Sequence, residues 1–275
     1  MAPKNGARLI VARHPERNEP RTGHKFRPKP GFQRRGEAPS DDWLWGWHAV
    51  EAALANAARG EPLRLLATPD KARQIEARFG RLPVLEVTEG PLIGRNLPQG
   101  AVHQGVALRP APLADVALAD FEARPGRVLL MLDQVTDPQN VGAILRSAAA
   151  FGAAGLILQD RHAPGVTGAL AKAAAGALEV TPIARVTNLS RALEQLAETG
   201  WRAVGLTGQA ERSLGEALDG GPVVLVLGSE GEGIRRLVSE HCDELASIPM
   251  PGGFESLNVS AAAAVALYEA ARPRS

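Results

Sequence analysis

With 275 residues, 45% of them hydrophobic and 22% charged, the chain is long enough for two globular domains and can bury a core. Its single cysteine, Cys242, excludes an intrachain disulfide, and with only His241 and Asp243 beside it, it does not make a metal site. No apolar run approaches the roughly 20 residues of a membrane span and the N-terminus lacks the apolar stretch of a signal peptide, so a cytoplasmic protein is expected.

The net charge of +1 is spread unevenly. Residues 1–39 carry ten Lys and Arg against Glu16, Glu19 and Glu37, a surplus of seven that leaves about −6 for the remainder. Six prolines and almost no periodic apolar residues mean that this stretch cannot offset the entropy of folding. Residues 1–40 therefore read as a disordered basic arm suited to a polyanion such as RNA or DNA. A solvated tail without a specific role, or in part a targeting segment, is the plainer alternative.

Order begins near Asp41. Ala49, Val50, Ala53, Leu54 and Ala57 recur at helical spacing within Gly46–Ala58, and Gly60 with Pro62 stops that helix. A strand at Leu63–Ala67, a polar-faced helix at Asp70–Phe79 and a strand at Val84–Val87 follow. A Gly- and Pro-rich loop over Gly90–Gly100 precedes the strand Val102–Leu108, and Pro110 and Pro112 close a small α/β domain spanning residues 41–112. Trp43, Trp45 and Trp47 open this domain; they could stack on unpaired bases, but burial of their rings is the expected use. His48 and His103 could touch a nucleic-acid backbone, and isolated histidines are more often structural.

After a linker over residues 113–126, residues 127–275 alternate regularly. Strands are expected at Val128–Leu132, Gly155–Leu158, Glu179–Ile183, Ala203–Leu206, Val223–Leu227 and Leu245–Ile248. Helices are expected at Val141–Phe151, Ala169–Ala175, Leu189–Glu198 and Ile234–His241, with a last, alanine-rich one at the C-terminus. This is the pattern of an α/β fold with a mostly parallel sheet covered on both faces, whose ligands collect at the carboxyl ends of the strands.

Three stretches fall at such ends. LDQVTDPQNVGAILR places Asn140 at an expected helix N-cap and a lone Arg146 in the second turn, where it either pairs with an acid or clamps a phosphate or carboxylate. GSEGEG, residues 228–233, follows the strand VVLVL, but Glu230 and Glu232 would repel a phosphate, which argues against NAD and ATP. A cationic cofactor rich in donors, such as S-adenosyl-L-methionine with its sulfonium, suits that loop; a Gly-rich turn with solvated glutamates is the bland reading. IPMPGG, from Ile248, can bring bare backbone to a ligand, and SLNVS, from Ser256, opens a helix that Ser256, Asn258 or Ser260 could cap.

Taken together the three stretches resemble the SpoU (TrmH-type) RNA 2'-O-ribose methyltransferases of the SPOUT superfamily. The N-x-G-x-x-x-R motif is present as Asn140, Gly142 and Arg146, and L-G-x-E-x-x-G as Leu227, Gly228, Glu230 and Gly233. I-P-M-x-G and S-L-N-V-S occupy 248–252 and 256–260. GWHAV at 46–50 and GAVHQG at 100–105 look like the L30e-like RNA-binding domain of the 23S rRNA guanosine-2'-O-methyltransferase subgroup, so the resemblance runs from Trp45 to the C-terminus. Phe254 and Glu255 depart from the smaller, neutral residues common at that place.

The resemblance implies a trefoil-knotted SPOUT domain, a homodimer formed through it, RNA as substrate and S-adenosyl-L-methionine as cofactor, without metal. Backbone at Gly228, Ile248 and Leu257, with Leu227, Met250 and Gly252 beside them, would hold the cofactor. Arg146, Glu230, Ser256 and Asn258 would line the reaction centre, supported by Asn140. A guanidinium is a poor base, its pKa being above about 12. Arg146 is therefore expected to bind the adjacent phosphate and orient the ribose hydroxyl, with a phosphate oxygen or a transiently neutral arginine taking the proton. The run Ala261–Ala264 would permit close helix contact at a dimer interface. Methylation of tRNA by the same machinery, and a non-catalytic RNA-binding role in ribosome assembly, are the alternatives to rRNA methylation.

Overall fold

The computed structural model describes residues 42–161, 163–252 and 256–272. The basic arm of residues 1–40 and the departure at Phe254 and Glu255 lie outside the described residues.

The chain begins with β1 (Leu44–Trp45), α1 (Trp47–Ala55), β2 (Arg64–Ala67), α2 (Pro69–Phe79), β3 (Leu85–Val87), α3 (Gly90–Gly94) and β4 (Val106–Arg109). These strands make a four-stranded sheet in the order β1-β4-β2-β3, antiparallel except between β2 and β3. Trp43 and Trp45 are buried on one face with Leu66, Ile93, Leu97 and Ala107, so packing accounts for these rings. Trp47 is half-buried, with the Lys71 ammonium 4.4 Å from its ring centroid.

The second part continues with β5 (Val128–Leu132), α4 (Pro138–Ala150), β6 (Gly155–Gln159), α5 (Gly168–Ala174), β7 (Ile183–Val186) and α6 (Leu189–Glu198). It ends with β8 (Arg202–Leu206), α7 (Leu214–Ala217), β9 (Val223–Leu227), α8 (Arg236–Ser239), β10 (Glu244–Ala246) and α9 (Val259–Ala271). Six strands pair in the order β10-β8-β9-β5-β6-β7, each neighbouring pair parallel. Because side chains alternate along a strand, Leu130, Leu132, Leu156, Leu158, Leu225 and Leu227 meet residues of α4, α5 and α9 in one core. Leu129, Met131, Ile157, Val224 and Val226 meet Leu193, Leu196 and Trp201 in a second core on the opposite face. Burial on both faces explains why β5 and β9 read as unbroken apolar runs.

The same core runs from the large sheet to the small one. Arg59, 5% exposed, donates from Nε and Nη2 to the Glu179 carboxylate at 2.8–3.0 Å and from Nη1 to the Ala111 carbonyl at 2.6 Å. Asn56 adds a donation from Nδ2 to the same carboxylate at 2.9 Å. At the start of α5, Gly168 touches Trp45 so closely that a Cβ there would stand 1.9 Å from a ring carbon.

Several expected elements shift, each for a local reason. The strand expected at Glu179–Ile183 starts only at Ile183, because Ala177–Glu179 is a 3-10 turn and Pro182 has no N–H for the ladder. The strand expected from Val102 starts at Val106, behind a left-handed turn at Gln104 (φ 54°) and Gly105 (φ 80°). Within the loop expected over Gly90–Gly100, Pro91 sits in the first turn of α3, where its missing N–H costs nothing. The helix expected over Ile234–His241 shrinks to α8 because Arg235 is held extended, at ψ 145°. The strand expected at Leu245–Ile248 is Glu244–Ala246.

Candidate active site

The three motif segments leave the carboxyl ends of β5, β9 and β10, where an open parallel sheet gathers its ligands. After β5 the N-cap of α4 is Asp137, whose carboxylate accepts from the Gln139 N–H at 3.0 Å, with Pro138 in the first turn. This corrects the expectation for Asn140, which lies inside the first turn with its side chain free to point elsewhere. Arg146 falls later in α4 than expected, in the third turn. Gly142 is buried where α4 crosses α5: a Cβ there would stand 2.5 Å from the Leu170 carbonyl oxygen and 2.6 Å from Ala173 Cβ. That motif glycine serves helix packing.

After β9 the GSEGEG segment folds on itself. Ser229 and Gly233 exchange backbone hydrogen bonds at 3.2 and 3.0 Å, and Gly231 (φ 89°) and Gly233 (φ 69°) supply the left-handed backbone that closes the hairpin. Gly228 has no room for a side chain, since a Cβ would stand 1.9 Å from the Gly233 carbonyl carbon. Its lack of a Cβ therefore serves the chain's own close approach. After β10 the third segment turns at Pro251 and Gly252 and resumes at Ser256, ahead of α9. Asn258 is the N-cap, its Oδ1 accepting from the Ser260 N–H at 3.0 Å and hydroxyl at 2.5 Å.

These three segments converge on one carboxylate. Glu230 Oε1 accepts from Asn258 Nδ2 at 2.5 Å, from Asn140 Nδ2 at 3.4 Å and from the Val259 N–H at 3.4 Å, while Asn258 Nδ2 also donates to Asn140 Oδ1 at 3.1 Å. A carboxylate beside the first N–H groups of α9 is favoured by the helix dipole as well as by the two amides. Residues 118 positions apart are thus joined by two side chains and one acid.

Arg146 and Ser256 are exposed and, among the described residues, stand outside this hydrogen-bond network. Among the described residues no ion pair joins Arg146 to an acid. Leu227 is 2% exposed, and its carbonyl accepts from the Asp133 N–H at 2.8 Å. Ile248 and Met250 are half-buried, Leu257 is 39% exposed, and a Cβ at Gly252 would meet no atom of the described residues within 4 Å. Ile248 walls a hollow of about 190 Å³ with Leu214, Pro249 and Val265. A larger hollow of about 390 Å³, lined by Leu54, Phe79, Leu82 and Pro110, holds none of the motif residues, so size does not mark the site.

Asp133 and Arg235 lie outside the site residues expected from the sequence. Asp133 is fully buried and receives the Arg235 N–H at 2.8 Å and Nε at 2.7 Å. An acid directly after the five apolar residues of β5 was the available signal, since a buried charge requires a partner. Cys242 lies nearby. Burial chiefly, then the charges of Asp243 and Asp133, pushes its thiol up to about 12.

Residues 127–268 match the SpoU rRNA Methylase family. The chain is 41% identical over 245 residues to an uncharacterized tRNA/rRNA methyltransferase of Synechocystis sp., covering 85% of this chain and 63% of that protein. It is 38% identical over 246 residues to the 23S rRNA (guanosine-2'-O-)-methyltransferase RlmB of Photobacterium profundum, covering 86% of this chain and 99% of that one. The chain thus spans less than two thirds of the first relative's length and nearly all of the second's. Its fold is similar to that of the SpoU methyltransferase AviRb from Streptomyces viridochromogenes in complex with AdoMet. The TM-score is 0.70 at 27% identity, over 83% of this chain and 88% of that one.

Proposed function

The chain belongs to the SpoU rRNA methylase family, and from that premise we propose that it transfers the methyl group of S-adenosyl-L-methionine to a ribose 2'-hydroxyl of RNA, a guanosine of 23S rRNA. The observation that carries this reading is the meeting of Asn140, Glu230 and Asn258 from three separate segments at the carboxyl edge of the sheet. S-adenosyl-L-methionine supplies an electrophilic methyl on a sulfonium. The acidic GSEGEG hairpin suits that positive charge. Backbone of Leu227, Gly228, Ile248, Met250, Gly252 and Leu257 would hold the cofactor.

Within that site the chain's own groups divide the work. Glu230 ties α4 to α9 through the two asparagines and fixes the floor of the site. Arg146, without an acidic partner among the described residues, binds the phosphate beside the target ribose and aims its hydroxyl. A phosphate oxygen or a transiently neutral Arg146 receives the hydroxyl proton. Ser256 stands on the exposed segment that leads into Asn258, within the same loop.

The small sheet, residues 41–112, is read as an L30e-like RNA-binding domain joined by residues 113–126 to a knotted SPOUT domain over residues 127–275, in the cytoplasm. The match of residues 127–268 to the SpoU family supports the knotted reading. A homodimer through α9 is supported by Val265, Tyr268 and Phe151, apolar side chains 42%, 56% and 38% exposed on one edge. Ala263 is buried in its own core, so the dimer contact is assigned to Val265 and Tyr268 more than to the alanine run. Val265→Asp should then convert a dimer to a monomer in solution mass measurements, and an unchanged mass would remove this assignment.

Mapping 2'-O-methyls in rRNA and tRNA from cells with and without the protein tests the proposal. Loss of one 23S rRNA guanosine methyl is the expected result. Loss of a tRNA methyl instead would move the substrate to tRNA, and loss of neither would overturn the activity.

A further inference from the structure

Asp133 and Arg235 belong to no motif, yet they hold the base of the hairpin that carries Glu230. The hairpin leaves β9 at Gly228 and comes back to the sheet at Ile234, which packs beside Gly205 of β8, and at Arg235. On the outgoing side the Leu227 carbonyl accepts from the Asp133 N–H at 2.8 Å. On the returning side the Asp133 carboxylate takes the Arg235 N–H at 2.8 Å and its Nε at 2.7 Å. One residue at the end of β5 therefore grips both legs of the loop. Arg235 extends the seam, donating from Nη2 to Gln159 Oε1 at 2.9 Å, and Gln159 donates from Nε2 to the Thr187 carbonyl at 3.2 Å. The seam crosses the carboxyl ends of β9, β5, β6 and β7 in turn.

Asp133 is fully buried, whereas Arg235 keeps 39% of its side chain exposed. A buried carboxylate requires its partners, so the extended Arg235 conformation is enforced, and with it the place where α8 can begin. Since β5 also leads into α4, the same short segment sets the distance between Asn140 and the loop bearing Glu230.

We propose that Asp133 and Arg235 are positioning residues: their ion pair fixes the Gly228–Gly233 hairpin so that Glu230 meets Asn140 and Asn258, and thereby sets affinity for the methyl donor. This rests on the site reading above only for its second half. Asp133→Asn nearly preserves shape but turns an NH2 group toward one of the two Arg235 donors. Arg235→Met keeps the stem and removes the guanidinium.

Two measurements on the full chain separate the possibilities. Hydrogen exchange of the ligand-free protein should show amides of 229–233 opening about tenfold faster in Asp133→Asn, with those of β5 and β9 unchanged. Calorimetry with S-adenosyl-L-methionine should show a Kd about tenfold higher in Asp133→Asn and Arg235→Met. In a Glu230→Gln background most of that loss should disappear, because both changes act on one contact. Unchanged exchange over 229–233 would overturn the clamp whichever ligand the site takes. A lowered melting temperature with unaltered exchange and Kd would reduce the pair to ordinary stability and overturn it equally. A wild-type chain that binds no S-adenosyl-L-methionine would sink the cofactor reading, while the exchange result would still judge the clamp.

Discussion

Glu230 is a single side chain that three distant segments share. Reading the motif by charge alone put Glu230 and Glu232 together as a repellent to phosphate, yet the structure separates them: Glu230 is bound by two asparagines and the α9 N-terminus, and Glu232 stays exposed at the hairpin tip. Residue chemistry also governs Cys242, whose thiol is raised to about 12 by burial first and by Asp243 and Asp133 second. At pH 8 the thiolate fraction is then negligible, and thiolate is the reactive form. Folded protein should resist iodoacetamide at that pH and unfolded protein should react at the rate of a free thiol; equal rates would show the thiol to be accessible. That Asn140, Glu230 and Asn258 would come together was legible in the motif spacing, and their hydrogen bonds join them. That Gly142 and Gly228 relieve contacts within the chain was not, because a glycine's neighbours are set by tertiary packing.

At the scale of elements, the apolar runs of β5 and β9 and the amphipathic α6 coincide with their expected spans because each rests on a long, unambiguous pattern. Where the expected spans failed, local turn and capping residues or, for α8, a tertiary contact overrode the apolar pattern. Asp133 holds Arg235 extended and cuts α8 short, and the Asp137–Pro138 pair starts α4 ahead of Asn140. The packing of α4 on α5 gives the sharpest element-level expectation. Gly142→Ala would drive a methyl to 2.5 Å from the Leu170 carbonyl oxygen, so the helices must part or the carbonyl must shift. Such overpacking costs about 1–3 kcal/mol. Chemical denaturation should report a loss of that size, with weaker methyl transfer because α4 carries Asn140 and Arg146. Unaltered stability would mean that α5 moves freely.

For the whole molecule, two sheets share one continuous core, and the joint between them contains a charge pair almost fully removed from water. Arg59 and Glu179 side chains are 3% and 4% exposed. Arg59→Ala would leave a carboxylate buried with Asn56 as its remaining side-chain partner and should cost roughly 3–5 kcal/mol, whereas Arg59→Met with Glu179→Leu should recover most of it. Thermal melts of the two variants decide this, and equal losses would mean that the charges carry no special penalty. Two successive runs of alternating strands and helices, seen in the structure as two sheets, were readable from element rhythm. Their packing was not, since Arg59 and Glu179 lie 120 positions apart in unremarkable segments.

In the proposed function, the convergence at Glu230 serves methyl transfer to a ribose hydroxyl. The most direct measurement is transfer of labelled methyl from S-adenosyl-L-methionine to 23S rRNA lacking the modification, followed by alkaline hydrolysis, which cannot cleave next to a 2'-O-methylated ribose. Wild type should leave label in an alkali-resistant dinucleotide containing guanosine, and Asn258→Ala should lower the rate by about a hundredfold or more, as loss of a preorganised polar group does. Label on a base, or undiminished transfer by Asn258→Ala, would contradict it.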